Sequence, residues 1–452
     1  MIFSAPRFVV VDDKKEHLGA IIQAFQQLGS PCIGIQFNPA EELNKLHFRG
    51  VRCLFLDLHL IEGQAGTDQR RHYGLIASIL EDNISQNGGP FILVIWTEHE
   101  HYSNELREYL DAKLDPAKPH ARPLAVLAMQ KEKFINTGDG TVNKPEELLA
   151  AIEDAVQSNS QLAALLGWEG DVLAAAGDTL ASLLNLIAAD MRTTTAFPGA
   201  LDVILSRLAR ESVGRSNVDV NHRSAVTNAL APILADRIVN QDVPEPTREV
   251  WKKALTRYSD AQLPEASAKE AGQINRMLHL ATPPGETIRP QDWGAVVNWP
   301  YEWNDNELMS RLGVSTGQLL GGEFLIEKAD RLRCKPVIVR IGAACDYAQN
   351  RTGPLTYLLG LEVPVGAKHK TDSSGQPLRL GEAIWRSPVF VVPDAADPIR
   401  LYIHVRFPLT VVAGAITAWP SRYRLREQTL MHLITSASTY VSRPGIVQLP
   451  VK

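Results

Sequence analysis

Two hydrophobic periods alternate along the first third of the chain. Residues 7–11 (RFVVV) form a β-branched run with little polar interruption, the pattern of a strand buried on both faces. The run ends in Asp12-Asp13. Leu18, Ile21, Ile22, Phe25 and Leu28 then recur at helical spacing, and Gly29-Ser30-Pro31 stops them. Residues 32–37 (CIGIQF) read as a second strand, and Asn38-Pro39 opens a short helix with proline near its first turn. Residues 53–60 (CLFLDLHL) predict a third strand, with Asp57 near its carboxyl end. An amphipathic helix over about 73–83 follows, then a fourth strand at 91–96 (FILVIW) ending at Thr97. A fifth strand at 123–129 (PLAVLAM) ends near Lys131, and 145–156 (PEELLAAIEDAV) is the closing helix. Five strands alternating with helices predict an α/β fold with a parallel, doubly wound sheet.

From about residue 159 to 282 the period is helical and the chain rich in Ala and Leu. Residues 161–191, interrupted around Gly167 and Gly170, read as two helices. Residues 200–212, 222–240, 246–259 and 265–279 read as further ones, together a helical bundle. Strand patterns return at 335–341 (KPVIVRI), 355–363, 389–392, 400–405 and 410–417, and a last helix is expected over 423–440. Three domains are expected on this pattern: 1–158, 159–285 and an α+β domain at 286–452.

Composition narrows the class without changing the picture. At 452 residues, 45% of them hydrophobic, the chain is too long for one ordinary core and has enough apolar material for several. A net charge of −5 gives no electrostatic case for non-specific nucleic-acid binding. No apolar run reaches the roughly 18 residues of a membrane span, and the N-terminus lacks the basic and cleavage regions of a signal peptide. Cys32, Cys53, Cys334 and Cys345 are few and scattered, which points to a reducing compartment without a disulfide framework. A cytoplasmic location is the expectation.

Ligands of a doubly wound sheet sit beyond the carboxyl ends of its strands. Four such ends here carry Asp12-Asp13, Asp57, Thr97 and Lys131. Two or three carboxylates together hold a hard divalent cation, with Mg²⁺ the expected one. The cation screens an anionic nucleophile from an anionic phosphoryl group. Lys131 can pair with phosphoryl oxygens as a point charge, the Thr97 hydroxyl can hydrogen-bond to one, and Asp57 would be the nucleophile, forming an acyl phosphate.

This constellation resembles the response-regulator receiver family, in which an acidic pair, an acceptor Asp, a Thr or Ser and a Lys follow strands one, three, four and five. Asp12, Asp13, Asp57, Thr97 and Lys131 match in that order. The resemblance covers about a third of the chain. It implies a flavodoxin-like (βα)5 domain, Mg²⁺ bound by Asp13 and Asp57 with Asp12 acting partly through water, and the backbone carbonyl of His59 completing the site. Gly74 would correspond to the glycine downstream of the acceptor. Glu132 stands where the family usually has Pro after the lysine, Lys133 rivals Lys131 for the role, and the aromatic that couples to the Thr is not evident. The loops at 61–72 and 111–122 look longer than usual. This long-loop form resembles receivers of bacterial conflict and phage-defence operons, which implies a histidine kinase or ATPase partner and a C-terminal output domain.

Other readings stay open. An acidic pair at a strand end also caps a following helix. The fold can serve as a pseudo-receiver scaffold without phosphorylation. Arg215 and His222, with six residues between them, resemble the loose Arg-x4-6-His signature of HEPN ribonucleases, which would make the chain a receiver-controlled nuclease; chance spacing at a helix start is the plainer account. Trp293, Trp299, Tyr301 and Trp303 suit a packed domain junction better than an aromatic binding surface. Cys345-Asp346 suits a structural turn, since Cys334, His404 and His432 are too dispersed for a metal site. Arg422, Arg424, Arg426 and Arg443 suit a solvated helix start better than an anion surface. No Walker loop, HExxH or GxSxG appears, nor a helix-turn-helix with a basic recognition helix.

Overall fold

A computed structural model describes residues 7–443 apart from 28–30, 62–68, 87, 97–100, 137–140, 143–144, 260–262, 284–286, 350–352, 413, 415 and 417. The chain divides into two compact units, one of residues 1–178 with 236–261, the other of 179–235 with 262–452. Two of the three boundaries fall inside helices, 160–185 and 222–240, so the stretch 159–285 contributes to both units.

The first unit is built on five parallel strands: β1 (Phe8–Asp12), β2 (Cys32–Gln36), β3 (Cys53–Asp57), β4 (Ile92–Trp96) and β5 (Ala125–Met129), in the order β2-β1-β3-β4-β5. The helices are α1 (Lys15–Gln27), α2 (Gln69–Asn83), α3 (His101–Lys113), a single turn α4 (Lys131–Phe134) and α5 (Pro145–Gln157). A two-residue ladder, β6 (Ile135–Asn136) with β7 (Thr141–Val142), precedes α5. The three inner strands β1, β3 and β4 are apolar up to their last residues because both faces are covered. Val9, Val11, Leu54, Leu56, Leu93 and Ile95 join the core that includes Tyr73, Ile76 and Leu80 of α2 and Leu106 and Leu110 of α3. Val10, Phe55, Ile92, Val94 and Trp96 face the other way, onto Leu18, Ile21 and Phe25 of α1 and onto Leu148 and Ile152 of α5. The period of two thus sends alternate residues of one run into two different cores.

Helices follow: α6 (Ser160–Asn185), α7 (Phe197–Val213), α8 (His222–Asn240), α9 (Glu245–Ala254) and α10 (Ala268–His279). The break expected at Gly167 and Gly170 is absent, and α6 runs through both. Each glycine costs about 1 kcal/mol against alanine, too little to stop a helix flanked by Ala and Leu. No helix among the described residues is long and apolar enough to cross a membrane.

The second unit is an antiparallel sheet of β8 (Leu280–Ala281), β9 (Ala295–Asn298), β10 (Lys335–Ile341), β11 (Pro354–Pro364), β12 (Ile384–Phe390), β13 (Ile399–Val412) and β14 (Ser421–Leu425), ordered β12-β13-β11-β10-β9-β14-β8. The short helices α11 (Asp305–Leu312), α12 (Thr316–Gln318) and α13 (Ala344–Ala348) lie between its strands, and α14 (Glu427–Val441) closes it. Val297, Ile338, Leu359 and Tyr402 pack on one face with Leu308 and Phe324. Val296, Val337, Leu401, Tyr423 and Leu425 pack on the other with Leu430 and Leu433 of α14.

Three expectations are corrected here. The strands expected at 400–405 and 410–417 are one strand, β13, carried past an irregularity opposite Leu358/Leu359. The helix expected from 423 begins at Glu427, and Arg422 and Arg424 belong to β14. The tryptophan stretch is not a domain junction: Trp299 packs edge-on to Tyr301 and Trp303 within the second unit's own core, and Arg311 stacks 3.4 Å over Tyr301.

Gly360 on β11 has no room for a side chain, since an added Cβ would lie 2.4 Å from Ile403 Cδ1 and 2.9 Å from the Tyr402 carbonyl. Gly360→Ala is therefore expected to destabilise the second unit by about 1–3 kcal/mol, the usual cost of overpacking, read as a lowered urea midpoint. An unchanged midpoint would mean that β11 and β13 are not this close.

Candidate functional site

The first and third strands of the parallel sheet and the turn after its fifth converge on one charged group. β1 ends at Asp12, which is fully buried, and its Oδ1 accepts the Lys14 N–H at 2.9 Å. Asp12 thus helps secure the chain's entry into α1, and its Oδ2 is left for the site. β3 ends at Asp57, 9% exposed, whose Oδ1 accepts the His59 N–H at 3.1 Å. Lys131, the first residue of α4, turns back over the sheet edge and is 7% exposed. Its Nζ lies 2.7 Å from Asp12 Oδ2 and 2.6 Å from Asp57 Oδ2. Lys133 is exposed, so Lys131 is the lysine that meets the acids.

Burial holds the Asp12 carboxyl above its ordinary value; Lys131 offsets part of that, and Asp57 adds to it. Burial also works against the Lys131 ammonium, but Asp57 and Asp12 outweigh it and hold that group above its ordinary value. The arrangement is a buried cation shared by two acids.

Asp12, Asp13 and Asp57 each present a carboxylate oxygen, and the three oxygens lie within 4.8 Å of one another. Asp13 Oδ1 is buried with no hydrogen-bond partner. An unsatisfied buried carboxylate oxygen is costly and suits a cation, and an all-oxygen donor set fits a hard divalent ion. This group could hold a metal ion, and among the described residues no other cluster of three His, Cys, Asp or Glu side chains does so.

His17 is the member that the sequence pattern did not single out. It is 6% exposed, and its Nδ1 lies 3.2 Å from Lys131 Nζ and 3.9 Å from Asp12 Oδ1. Its position was a signal: His17 stands four residues before Ile21, on the apolar face of α1. Thr97 lies outside the described residues. Gly74 sits in α2, where an added Cβ would come 3.4 Å from the Tyr109 hydroxyl. The exposed His59 ring meets His72 edge-on at 4.8 Å.

The remaining candidates do not assemble. Arg215 and His222 are both exposed, and His222 pairs with Asp219 at 3.4 Å. Cys345 is exposed at the start of α13, with Asp346 Oδ1 3.8 Å from its Sγ. Cys334, His404 and His432 meet different partners: the Asp330 carbonyl, Glu323 and the Trp385 indole N–H. Arg422 is taken up by Glu362 and Arg443 by Glu382.

No family model matches the chain, and no curated protein or solved structure does either. The five-stranded parallel sheet and its aspartate cluster fit a receiver-like fold.

Proposed function

We propose that the first unit acts as a receiver module of the response-regulator kind, taking a phosphoryl group onto Asp57 from a partner histidine kinase. The observation that carries this reading is the Asp12, Asp13 and Asp57 cluster with Lys131 across it, at the carboxyl edge of a sheet ordered β2-β1-β3-β4-β5. Asp12, Asp13 and Asp57 would hold Mg²⁺, which when bound offsets the charge of both the carboxylates and the donor phosphate. A carboxylate oxygen of Asp57 attacks phosphorus. A P–O bond to Asp57 forms as the P–N bond of the donor phosphohistidine breaks, and the released imidazole takes a proton from solvent. Lys131 exchanges its contact with Asp57 Oδ2 for one with a phosphoryl oxygen. In this reading the Thr97 hydroxyl donates to a second phosphoryl oxygen. The added charge would switch the rest of the chain, which serves as output, in the cytoplasm where such a kinase works.

Acetyl phosphate with Mg²⁺ is expected to phosphorylate the wild-type chain, and Asp57→Asn to abolish uptake, both read by intact mass. No uptake by the wild type would leave the sheet as a scaffold that works without phosphorylation. Equal uptake by Asp57→Asn would move the acceptor to another residue.

A further inference from the structure

A lysine ammonium carries three N–H donors, and Lys131 meets three acceptors: Asp57 Oδ2 at 2.6 Å, Asp12 Oδ2 at 2.7 Å and His17 Nδ1 at 3.2 Å. With two carboxylates against it the amine stays an ammonium, so the hydrogen between Nζ and Nδ1 belongs to the lysine. Nδ1 must then offer its lone pair. A ring proton there would point at a cation 3.2 Å away. Nδ1 is then the acceptor, and Nε2 is the nitrogen left to carry the ring's proton.

We infer that His17 is a positioning residue for Lys131: as the Nε2–H tautomer it accepts the third N–H and tethers the ammonium at the sheet edge. The inference deepens, and rests on, the reading of Asp57 as phosphoryl acceptor. When Asp57 is modified, Lys131 loses the Oδ2 contact and has to aim that donor at a phosphoryl oxygen. Asp12 is an incomplete tether, because its carboxylate is also one of the three that would hold the metal. His17 lies outside that group. It is buried on α1 beside Leu18 and Ile21, whose packing against β1 and β3 fixes its place. A flexible four-carbon side chain held at two fixed points keeps its third donor directed; held at one, it does not.

Two substitutions separate the acceptor from the bulk. Asparagine carries Oδ1 on the same Cγ branch as His Nδ1, so His17→Asn keeps an acceptor in place, whereas His17→Leu keeps volume and loses it. Full-length chains are labelled with acetyl phosphate and Mg²⁺, with circular dichroism as the check on folding. His17→Asn is expected within about twofold of wild-type rate, and His17→Leu about tenfold slower, the value of one hydrogen bond in a barrier. Equal slowing in both variants, or in neither, overturns the inference. A second readout does not depend on phosphorylation. In long-range ¹H–¹⁵N spectra of histidine-labelled protein at mildly alkaline pH, His17 should appear as the Nε2–H tautomer. Its Nδ1 resonance should move in Lys131→Met. A proton on Nδ1, or no movement, overturns the tether whatever the labelling shows. An unlabelled wild type with the expected tautomer sinks the phosphorylation reading and leaves the tether standing.

Discussion

A Lys131→Met chain is expected to lose about 3–5 kcal/mol of stability in its first unit, the cost of stripping one partner from a buried ion pair. Methionine fills similar space without charge. Asp12 and Asp57 would then share one buried pocket in which, among the described residues, the Lys14 and His59 N–H groups donate to them. Like charges at that separation cannot both stay ionised cheaply. A divalent ion bound by the same acids would supply the missing positive charge. At a hundred times its dissociation constant an ion returns about 2.7 kcal/mol. Most of the loss should therefore be recovered in excess Mg²⁺, while the wild type, already neutralised by its own lysine, should gain less. Native-state hydrogen exchange of the β1 and β3 amides, with and without Mg²⁺, reads this within the full-length protein. Unaltered protection in the metal-free variant would show that Lys131 is not the counter-ion on which these acids depend.

How much of this could be read from residue order depends on how each element is buried. The parallel strands were legible because burial on both faces leaves an unbroken β-branched run, as in Val9, Val10 and Val11. The acids and Lys131 were legible because polar residues that end such runs have one place to go, the sheet edge. His17 was not, because one polar residue on an apolar helix face looks the same whether it packs inertly or meets a charge. The helix α3 left little signal, since among its described side chains Leu106 and Leu110 alone are in the buried core, too few to set a period. The segment 421–426 (SRYRLR) misled in the opposite way. Its arginines alternate with Tyr423 and Leu425, both fully buried, which is the period of a strand. The helix that follows lent the segment its apparent identity. In β13, Pro408 falls between the two strands expected at 400–405 and 410–417; prolines are tolerated at irregularities, and the register against β11 skips from His404 to Pro408 there.

Arg422→Met is the substitution expected to cost most in the second unit, again about 3–5 kcal/mol. Its partner Glu362 is 1% exposed in the middle of the sheet. Glu362 Oε1 accepts the Tyr423 hydroxyl at 3.0 Å, and Oε2 lies 2.8 Å from Arg422 Nη1 as a charge contact without hydrogen-bond alignment. Neighbouring residues of a strand ordinarily point to opposite faces. The register against β9 shifts between Ser421 and Tyr423, and both Arg422 and Tyr423 reach one carboxylate. Burial pushes the Glu362 carboxyl above its ordinary 4.5, with Arg422, Tyr423 and Lys335 pulling it back only in part. Without Arg422 it should rise further. A carboxyl raised in the fold binds its proton more tightly there than in the unfolded chain. The penalty is therefore full above the folded value and shrinks as pH falls through that value towards 4.5. Urea midpoints of wild type and Arg422→Met should be far apart at neutral pH and converge in mild acid. Adding Glu362→Gln, which removes the stranded charge but can still accept from Tyr423, should restore most of the loss at neutral pH. If the double variant is no more stable than Arg422→Met, the arginine supports the sheet through its packing, and the ion pair is not what makes it indispensable.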